Sequence, residues 1–269
     1  MPYDRDRLPA PAGPPGLRPR PREDEAAVWL LSATGPEMAA ADRLSGVLSD
    51  EEVRRRDALA RGADRRLYAT AHVGLRFVLG AYLGLAPERV ELHRAACPLC
   101  GGPHGRPEVA ARPPLHFSLS HAGSAVLCAV AGAPVGADVE SAENVCASDW
   151  EFLPVLHPDE RAAIGGRQPA DRGPALLHCW VRKEAYLKGL GTGLGLDPAG
   201  VRVGLGPGFA VPPGPPPPDW GLAPVPAPDG YAGAVALRGT TTPVVLPHRL
   251  SLLLHDPATV RAGAATAPT

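Results

Sequence analysis

Asp138 and Glu140 stand two residues apart in Gly136-Ala137-Asp138-Val139-Glu140, an otherwise apolar segment. As a strand it would project both carboxylates from one face. Like charges at the edge of a core raise each other's pKa, and a hard divalent cation that accepts carboxylate oxygens relieves the repulsion. A third acid, Glu184, lies in WVRKEAYLK, residues 180–188, where Glu184 and Lys188 are one helical turn apart and share a face, with Trp180 one turn earlier. Three carboxylates with open coordination positions suit Mg²⁺, which prefers oxygen ligands, keeps several waters and bridges carboxylates to substrate phosphates. Lys188 would steady the same phosphates. The bland alternative is a solvated strand end beside a surface Glu–Lys pair worth a few tenths of a kcal/mol, and spacing alone leaves both open.

The elements that must position these residues can be read from periodicity and punctuation. Ala26 to Leu31 is an apolar run of strand length. Ser49 or Asp50 can cap a helix with Glu52 in its first turn. After Gly62, residues Leu67, Ala71, Leu75, Val78, Leu79 and Tyr82 recur at helical spacing up to Gly84. Residues 97–114 are rich in turn formers and read as a loop. Leu115 to Ser120, Ser124 to Ala131 and Pro134 to Glu140 read as strands. His157-Pro158 starts a further helix, and Pro174 opens a helical segment through Leu190 that Gly191 and Gly193 stop. Val201 to Leu205, Tyr231 to Leu237 and Leu250 to Leu254 close the pattern as strands. The order of elements is roughly parallel on either side of residue 135, which predicts an α+β fold of two halves.

The expected division is an unstructured Pro/Arg-rich arm (1–25), an N-terminal half (26–134), a C-terminal half (135–255) and a frayed tail (256–269). The density of Pro from 207 to 228 predicts an insertion without regular structure. The chain has 34 Pro and 31 Gly in 269 residues, so the folded part is shorter than the whole. A net charge of −1 gives no global basic field, which argues against nucleic acid and anionic membrane as partners. The longest apolar runs are about eight residues, short of the roughly 20 that span a bilayer, and no apolar leader follows a charged start. Five cysteines, an odd number, fit a reducing compartment, so the expected location is the cytoplasm.

Three segments in order, HFSLSHAG (116–123), VGADVES (135–141) and WVRKEAYLKGLGTGL (180–194), resemble the signatures of Sfp-type 4'-phosphopantetheinyl transferases. The pattern GxDxE followed some forty residues later by W-x-x-KEA-x-x-K is met at its key positions, and the resemblance spans about residues 45–200. It implies two pseudosymmetric halves, each a small sheet on a long helix, with coenzyme A in the cleft between them. It further implies transfer of the phosphopantetheine arm of coenzyme A to a serine of an apo acyl or peptidyl carrier protein, with release of adenosine 3',5'-bisphosphate, by a monomer. Carriers of fatty-acid, polyketide or nonribosomal-peptide synthesis are all candidate acceptors.

Carried over residue by residue, the resemblance assigns Mg²⁺ to Asp138, Glu140 and Glu184, with Asp138, Glu184 and Lys188 as the catalytic set. Glu184 would be the general base and Lys188 would neutralise the pyrophosphate. Lys183 would assist or orient the acidic cluster and count among the cofactor contacts. Ser120 and His121 match the family's N-x-SH element, which touches the nucleotide or its phosphates; Ser118 replaces the Asn. Arg106, in the turn PHGRP, is the candidate cation at the adenosine end. Arg65 and Arg66 are the candidates for the 3'-phosphate, because guanidinium forks match that group.

Other features are set aside. Cys97-Pro-Leu-Cys100-Gly looks like half of a zinc ribbon, but a closed structural site needs four ligands. Cys128, Cys146 and Cys179 are isolated, and His93 and His104 are the only nearby nitrogen donors. Gly189, Gly191, Gly193 and Gly195 follow a helix instead of linking strand to helix, so they are a helix stop and not a nucleotide loop.

Overall fold

The computed structural model describes residues 18–145, 154–206 and 217–257. The expected N-terminal arm up to residue 17, the stretch 207–216 of the Pro-rich insertion and the tail from residue 258 lie outside the described residues. Residues 18–24 pack against the body: Arg18 N donates to Ala81 O at 2.8 Å, and its guanidinium lies 4.5 Å over the Trp29 ring.

The N-terminal half is built on β1 (Glu25–Ser32), β4 (His116–Ala122) and β5 (Ala125–Ala131), and on the 22-residue helix α3 (Gly62–Leu83). The C-terminal half is built on β6 (Val135–Ser141), β7 (Trp220–Val225), β8 (Tyr231–Arg238) and the 22-residue helix α5 (Pro169–Leu190). Shorter elements are α1 (Gly35–Arg43), α2 (Asp50–Asp57), β2 (Leu92–Arg94), β3 (Pro107–Val109), α4 (Pro158–Gly165), β9 (Val244–Arg249) and α6 (Ser251–His255). One sheet has the order β4-β5-β1-β9, the other β6-β8-β7, and β2 pairs β3 as a separate hairpin. The fold is therefore α+β, as expected.

The layers follow from which face of each strand is apolar. In β1 and β5 both faces are: Ala27, Trp29, Leu31, Val126, Cys128 and Val130 pack with α3, whereas Val28, Leu30, Leu127 and Ala129 pack on Val139, Val235 and Leu237 of the second sheet. Strands covered on both sides read as continuous apolar runs, which is why these two were conspicuous in the sequence. The far side of the second sheet, Ala232, Ala234 and Ala236, packs on Leu177, Val181 and Ala185 of α5. The molecule is thus four layers, helix–sheet–sheet–helix. Among the described residues no helix is long and apolar enough to cross a membrane.

The structure corrects several expectations. Leu250 to Leu254 is not a strand: Leu250, Leu253 and Leu254 are buried at helical spacing, and Ser251–His255 is helical. Val201 to Leu205 joins no sheet. The Val203 and Gly204 amides donate to Glu160 Oε1 at 2.7 and 3.0 Å, while carbonyls of Val201, Val203 and Gly204 accept from Lys183 and Arg182, so side chains replace a strand partner. Trp220–Val225 is a strand inside the stretch expected to be irregular; it is a sheet edge, where Pro224 needs no ladder amide. The edge strand β9 carries Pro247 and runs parallel to β1, Val28 opposite Pro247. Helix α5 starts at Pro169 and runs through Pro174 instead of opening there. Within the loop 97–114, residues Pro107–Val109 form β3, paired with β2.

The capping expectation holds at Ser49, whose hydroxyl accepts from Glu52 N while Glu52 Oε2 accepts from Ser49 N. Glu52 also takes Arg76 Nε at 2.7 Å and His72 Nδ1 at 3.0 Å. Burial pushes its carboxyl up, but the contacts with His72, the Ser49 amide and Arg76 outweigh burial and hold the pKa at about 2.

The contact between β6 and α5 has no spare room. A Cβ at Gly136 would overlap Ala185 O and Gly189 N, and a Cβ at Gly189 would come within 2.6 Å of the Trp220 ring. Because backbone cannot yield as a side-chain tip can, Gly136→Ala is expected to destabilise the protein by about 3 kcal/mol or more. Denaturant unfolding of the variant against the parent chain checks this.

Candidate active site

Helix α5 and strand β6 meet along the face that carries Gly136, Asp138 and Glu140. Val135, Ala137 and Val139, the intervening residues, point into the core between the sheets, so strand alternation alone sends both carboxylates toward α5. Asp138 and Glu140 then lie beside Glu184 and Lys188, one turn apart on the helix. All four line a cleft of about 1220 Å³ between the halves, whose other wall carries His72 and, from β4, Ser120 and His121.

Two serines of β4 hold the halves in register here. Ser118 Oγ accepts from Ala137 N at 2.9 Å, so the residue in the place of the family's Asn ties β4 to β6. Ser120 Oγ donates to Asp138 Oδ1 at 2.7 Å and accepts from Lys188 Nζ at 3.0 Å, and Lys188 pairs with Asp138 Oδ1 at 2.5 Å. Asp138 is 1% exposed, and its other oxygen, Oδ2, is buried without a hydrogen-bond partner among the described residues. A buried carboxylate oxygen left unpaired is costly. Asp138 is close enough to raise the pKa of both Glu140 and Glu184, and carboxylate oxygens are the donor type that a hard cation such as Mg²⁺ takes.

The electrostatics agree. Burial raises the pKa of Glu140, and Asp138 raises it further against an opposing hydrogen bond from Asn144 Nδ2 at 3.1 Å. Burial likewise raises Glu184; Lys188 pulls it down, and Asp138 and Glu140 push it up. His121 stands exposed on the cleft wall, its pKa lowered by partial loss of water and then by the positive charge of His72 and Lys188.

Lys183 does not join this group. Adjacent helix residues point about 100° apart, and Lys183 turns away from the cleft with no solvent exposure. It pairs with Glu160 at 2.7 Å and donates to the carbonyls of Pro198 and Val201. Its contacts anchor the 198–204 segment to α5, so the expected cofactor contact is corrected to a buried structural ion pair. Arg65 also lies outside the cleft lining: its Nη1 donates to Leu59 O at 2.7 Å and Ala60 O at 3.1 Å, closing the turn before α3. Arg66 is exposed and likewise lies off the lining. From the same Arg-rich region the guanidinium that lines the cleft is that of Arg55, paired with Glu51 one turn before it.

Arg106 does line the cleft, with Nη1 donating to Gly189 O at 2.9 Å and Nε to Glu108 Oε1 at 3.1 Å, so it bridges the β2–β3 hairpin to the end of α5. His72 was missed in the sequence. It stacks on Tyr68 with ring centroids 4.0 Å apart, and the i, i+4 spacing of two aromatic rings flanking the apolar stripe of α3 is the signal that could have found it.

With this geometry in view, residues 134–210 match the family model described as the 4'-phosphopantetheinyl transferase superfamily. That span holds Asp138, Glu140, Glu184 and Lys188. The part of the chain that carries the acidic residues is thus similar to this superfamily. It is 32% identical over 104 residues to a 4'-phosphopantetheinyl transferase of Bacillus subtilis, covering 37% of this chain and 45% of that protein. To the 4'-phosphopantetheinyl transferase HetI of Nostoc sp. it is 29% identical over 177 residues, 64% of this chain and 70% of that protein. To AcpT of Salmonella typhimurium, also a 4'-phosphopantetheinyl transferase, it is 33% identical over 106 residues, 37% and 54%. The matches thus span about half the length of two of these relatives and more of the third.

Two expectations follow. Lys183→Ala leaves Glu160, itself 3% exposed, without its cation, and should cost about 3–5 kcal/mol of stability. Denaturant unfolding measures the loss, while ligand binding by the folded fraction should be unchanged. The second concerns pH. Because the folded chain raises the pKa of Glu140 and Glu184 above the ordinary 4.5, it binds their protons more tightly than the unfolded chain does. Without divalent cations their contribution is therefore best at low pH and declines as pH rises from 4.5 through the raised values. Glu184→Gln removes one such charge and should raise the thermal midpoint at neutral pH in chelator, at about 2–4 °C per kcal/mol recovered. Thermal scans of both chains from pH 4 to 8 check the sign.

Proposed function

We propose that the chain is a Mg²⁺-dependent 4'-phosphopantetheinyl transferase that works as a cytoplasmic monomer. It moves the phosphopantetheine arm of coenzyme A onto a serine hydroxyl of an apo acyl or peptidyl carrier protein and releases adenosine 3',5'-bisphosphate. The observation that carries this reading is the unpaired, buried Asp138 Oδ2 in a cleft that Glu140, Glu184 and Lys188 also line and that is large enough for a nucleotide.

Asp138, Glu140 and Glu184 would hold the Mg²⁺, which when bound supplies positive charge against the pyrophosphate of coenzyme A. Ser120 fixes the Asp138 carboxylate by donating to Oδ1, so the carboxylate that would hold the metal is oriented before substrate arrives. Lys188 places an ammonium beside the same carboxylate and neutralises phosphate charge that grows as the transition state forms. Glu184, whose carboxyl burial keeps more basic than usual, takes the proton of the carrier serine as its oxygen attacks the β-phosphorus. The bond from that phosphorus to the bridging oxygen breaks, and the bisphosphate leaves. His121, Arg106 and Arg55 line the same cleft and would meet the nucleotide end. Arginines on the rim of the cleft, Arg94 among them, would steer an acidic carrier.

Incubation of the chain with coenzyme A, Mg²⁺ and a panel of apo carriers should add one phosphopantetheine to the mass of at least one carrier. Carriers of fatty-acid, polyketide and nonribosomal-peptide type belong in the panel. Glu184→Gln should lower turnover by about 10²–10⁴-fold while coenzyme A binding falls far less. Coenzyme A binding without mass transfer to any carrier would overturn the assignment in favour of a binding protein on the same fold.

A further inference from the structure

The β2–β3 hairpin carries a second cluster of metal-type donors, separate from the acidic one. One sulfur each from Cys97 and Cys100 and one ring nitrogen of His104 all lie within 4.8 Å of one another. Cys100 Sγ and His104 Nε2 are 3.0 Å apart. Ligands of a tetrahedral zinc ion, at about 2.3 Å for sulfur and 2.0–2.1 Å for nitrogen, sit roughly 3.5–3.8 Å from each other, so the three donors are close to that arrangement already.

The backbone around them is folded to make it. Gly101 N donates to Cys97 O at 2.8 Å, and Cys97 N to Gly102 O at 2.7 Å, which curls the Cys-Pro-Leu-Cys-Gly turn on itself. Gly102 leaves room for the imidazole beside the sulfur: a Cβ there would meet the His104 ring at 3.0 and 3.1 Å and Cys100 Sγ at 3.4 Å. A turn shaped only to reverse the chain has no need to clear space for a ring beside a sulfur.

We propose that Cys97, Cys100 and His104 bind one zinc ion that clamps the tip of the β2–β3 hairpin. Two thiolates and an imidazole select a soft or borderline ion, whereas the oxygen donors of the acidic cluster select a hard one, so the two sites do not compete. The fourth position belongs to water. His93, the other nearby imidazole, is on β2 opposite Glu108 and sits 3.9 Å from its carboxylate. Three-residue strands pair weakly on their own, and a metal closing the loop between them supplies the missing order. The clamp acts on the cleft because the same hairpin carries Arg94, Gly105 and Arg106, with Arg94 Nη1 donating to Gly105 O at 3.1 Å and Arg106 reaching α5.

The test uses the full chain, free of any affinity tag, reduced and stripped with chelator, then titrated with Zn²⁺ against a chromogenic chelator. One equivalent should bind per chain. Co²⁺ in its place should give the near-ultraviolet band of thiolate-to-metal charge transfer. Cys100 and His104 are both exposed, so Cys100→Ser and His104→Gln should fold normally and bind zinc at least ~100-fold more weakly. Hydrogen exchange of amides 92–109 should slow on adding zinc to the parent chain and not to Cys100→Ser. Uptake of less than one equivalent, or equal affinity in parent chain and Cys100→Ser, overturns the proposal. None of these readouts uses coenzyme A or a carrier, so the outcome is independent of the transferase assignment.

Discussion

The site depends on the closeness of one strand and one helix. Gly136 of β6 and Gly189 of α5 face each other without a side chain between them, and their backbones approach as near as backbones can. That contact fixes the height of the helix over the sheet. Two residues along β6, Asp138 reaches Lys188; two further, Glu140 comes beside Glu184. An extra methyl at the glycine pair would lift the helix and part the acids from the lysine. The carboxylates could then relax into solvent, and the strain that makes them want a cation would be gone. Conformational permissiveness is not what these glycines supply, since neither has a positive φ; they supply absence of volume.

Around that contact, polar groups in the interior do two different jobs. Lys183 and Arg182, on the side of α5 away from the cleft, spend their charge on carbonyls of the 198–204 segment and on Glu160. Glu52 and Arg76 do the same between α2, α3 and the turn at 87–90. In these networks the hydrogen bonds close, and the result is a rigid wall. At Asp138 the network stays open by one oxygen. Tyr68 Oη and Thr192 Oγ1 are also buried without a hydrogen bond among the described residues, but Asp138 Oδ2 is the carboxylate oxygen among such atoms, and an unpaired carboxylate oxygen is the costlier one to bury.

Much of this was legible in the sequence because it rests on short-range periodicity. The alternation through Gly136, Asp138 and Glu140 and the turn between Glu184 and Lys188 are local facts, and the cleft inherits them. The helix at 62–83 was equally plain, since Leu67, Ala71, Leu75 and Leu79 repeat at four-residue steps over more than three turns. What escaped depended on long-range partners. Strands β7 and β9 contain proline, which is tolerable only at a sheet edge, and being an edge is a property of the assembled sheet. The segment 201–205 has strand composition but finds side chains in place of a strand partner. Lys183 was misplaced for a simpler reason: neighbours in a motif were treated as neighbours in space, although consecutive helical residues diverge. Arg65 and Arg66 lie off the cleft lining for a related reason: the sequence shows that the region is rich in arginine but not which side of each helix turns to the cleft.

The sheet of the N-terminal half holds a strand from the far end of the chain. Val244–Arg249 lies parallel to Glu25–Ser32, and Leu250 packs against the space left by Gly74 on α3. During synthesis, therefore, β1 leaves the ribosome about two hundred residues before the strand that covers its open edge. Until then the first sheet has an exposed ladder beside Trp29, and helix α3 lacks the leucines of α6 that seal it. The two halves cannot mature one after the other like beads. Residues 244–255 complete the first layer, so the arrangement makes closure of the N-terminal sheet wait for segments that follow the whole second sheet.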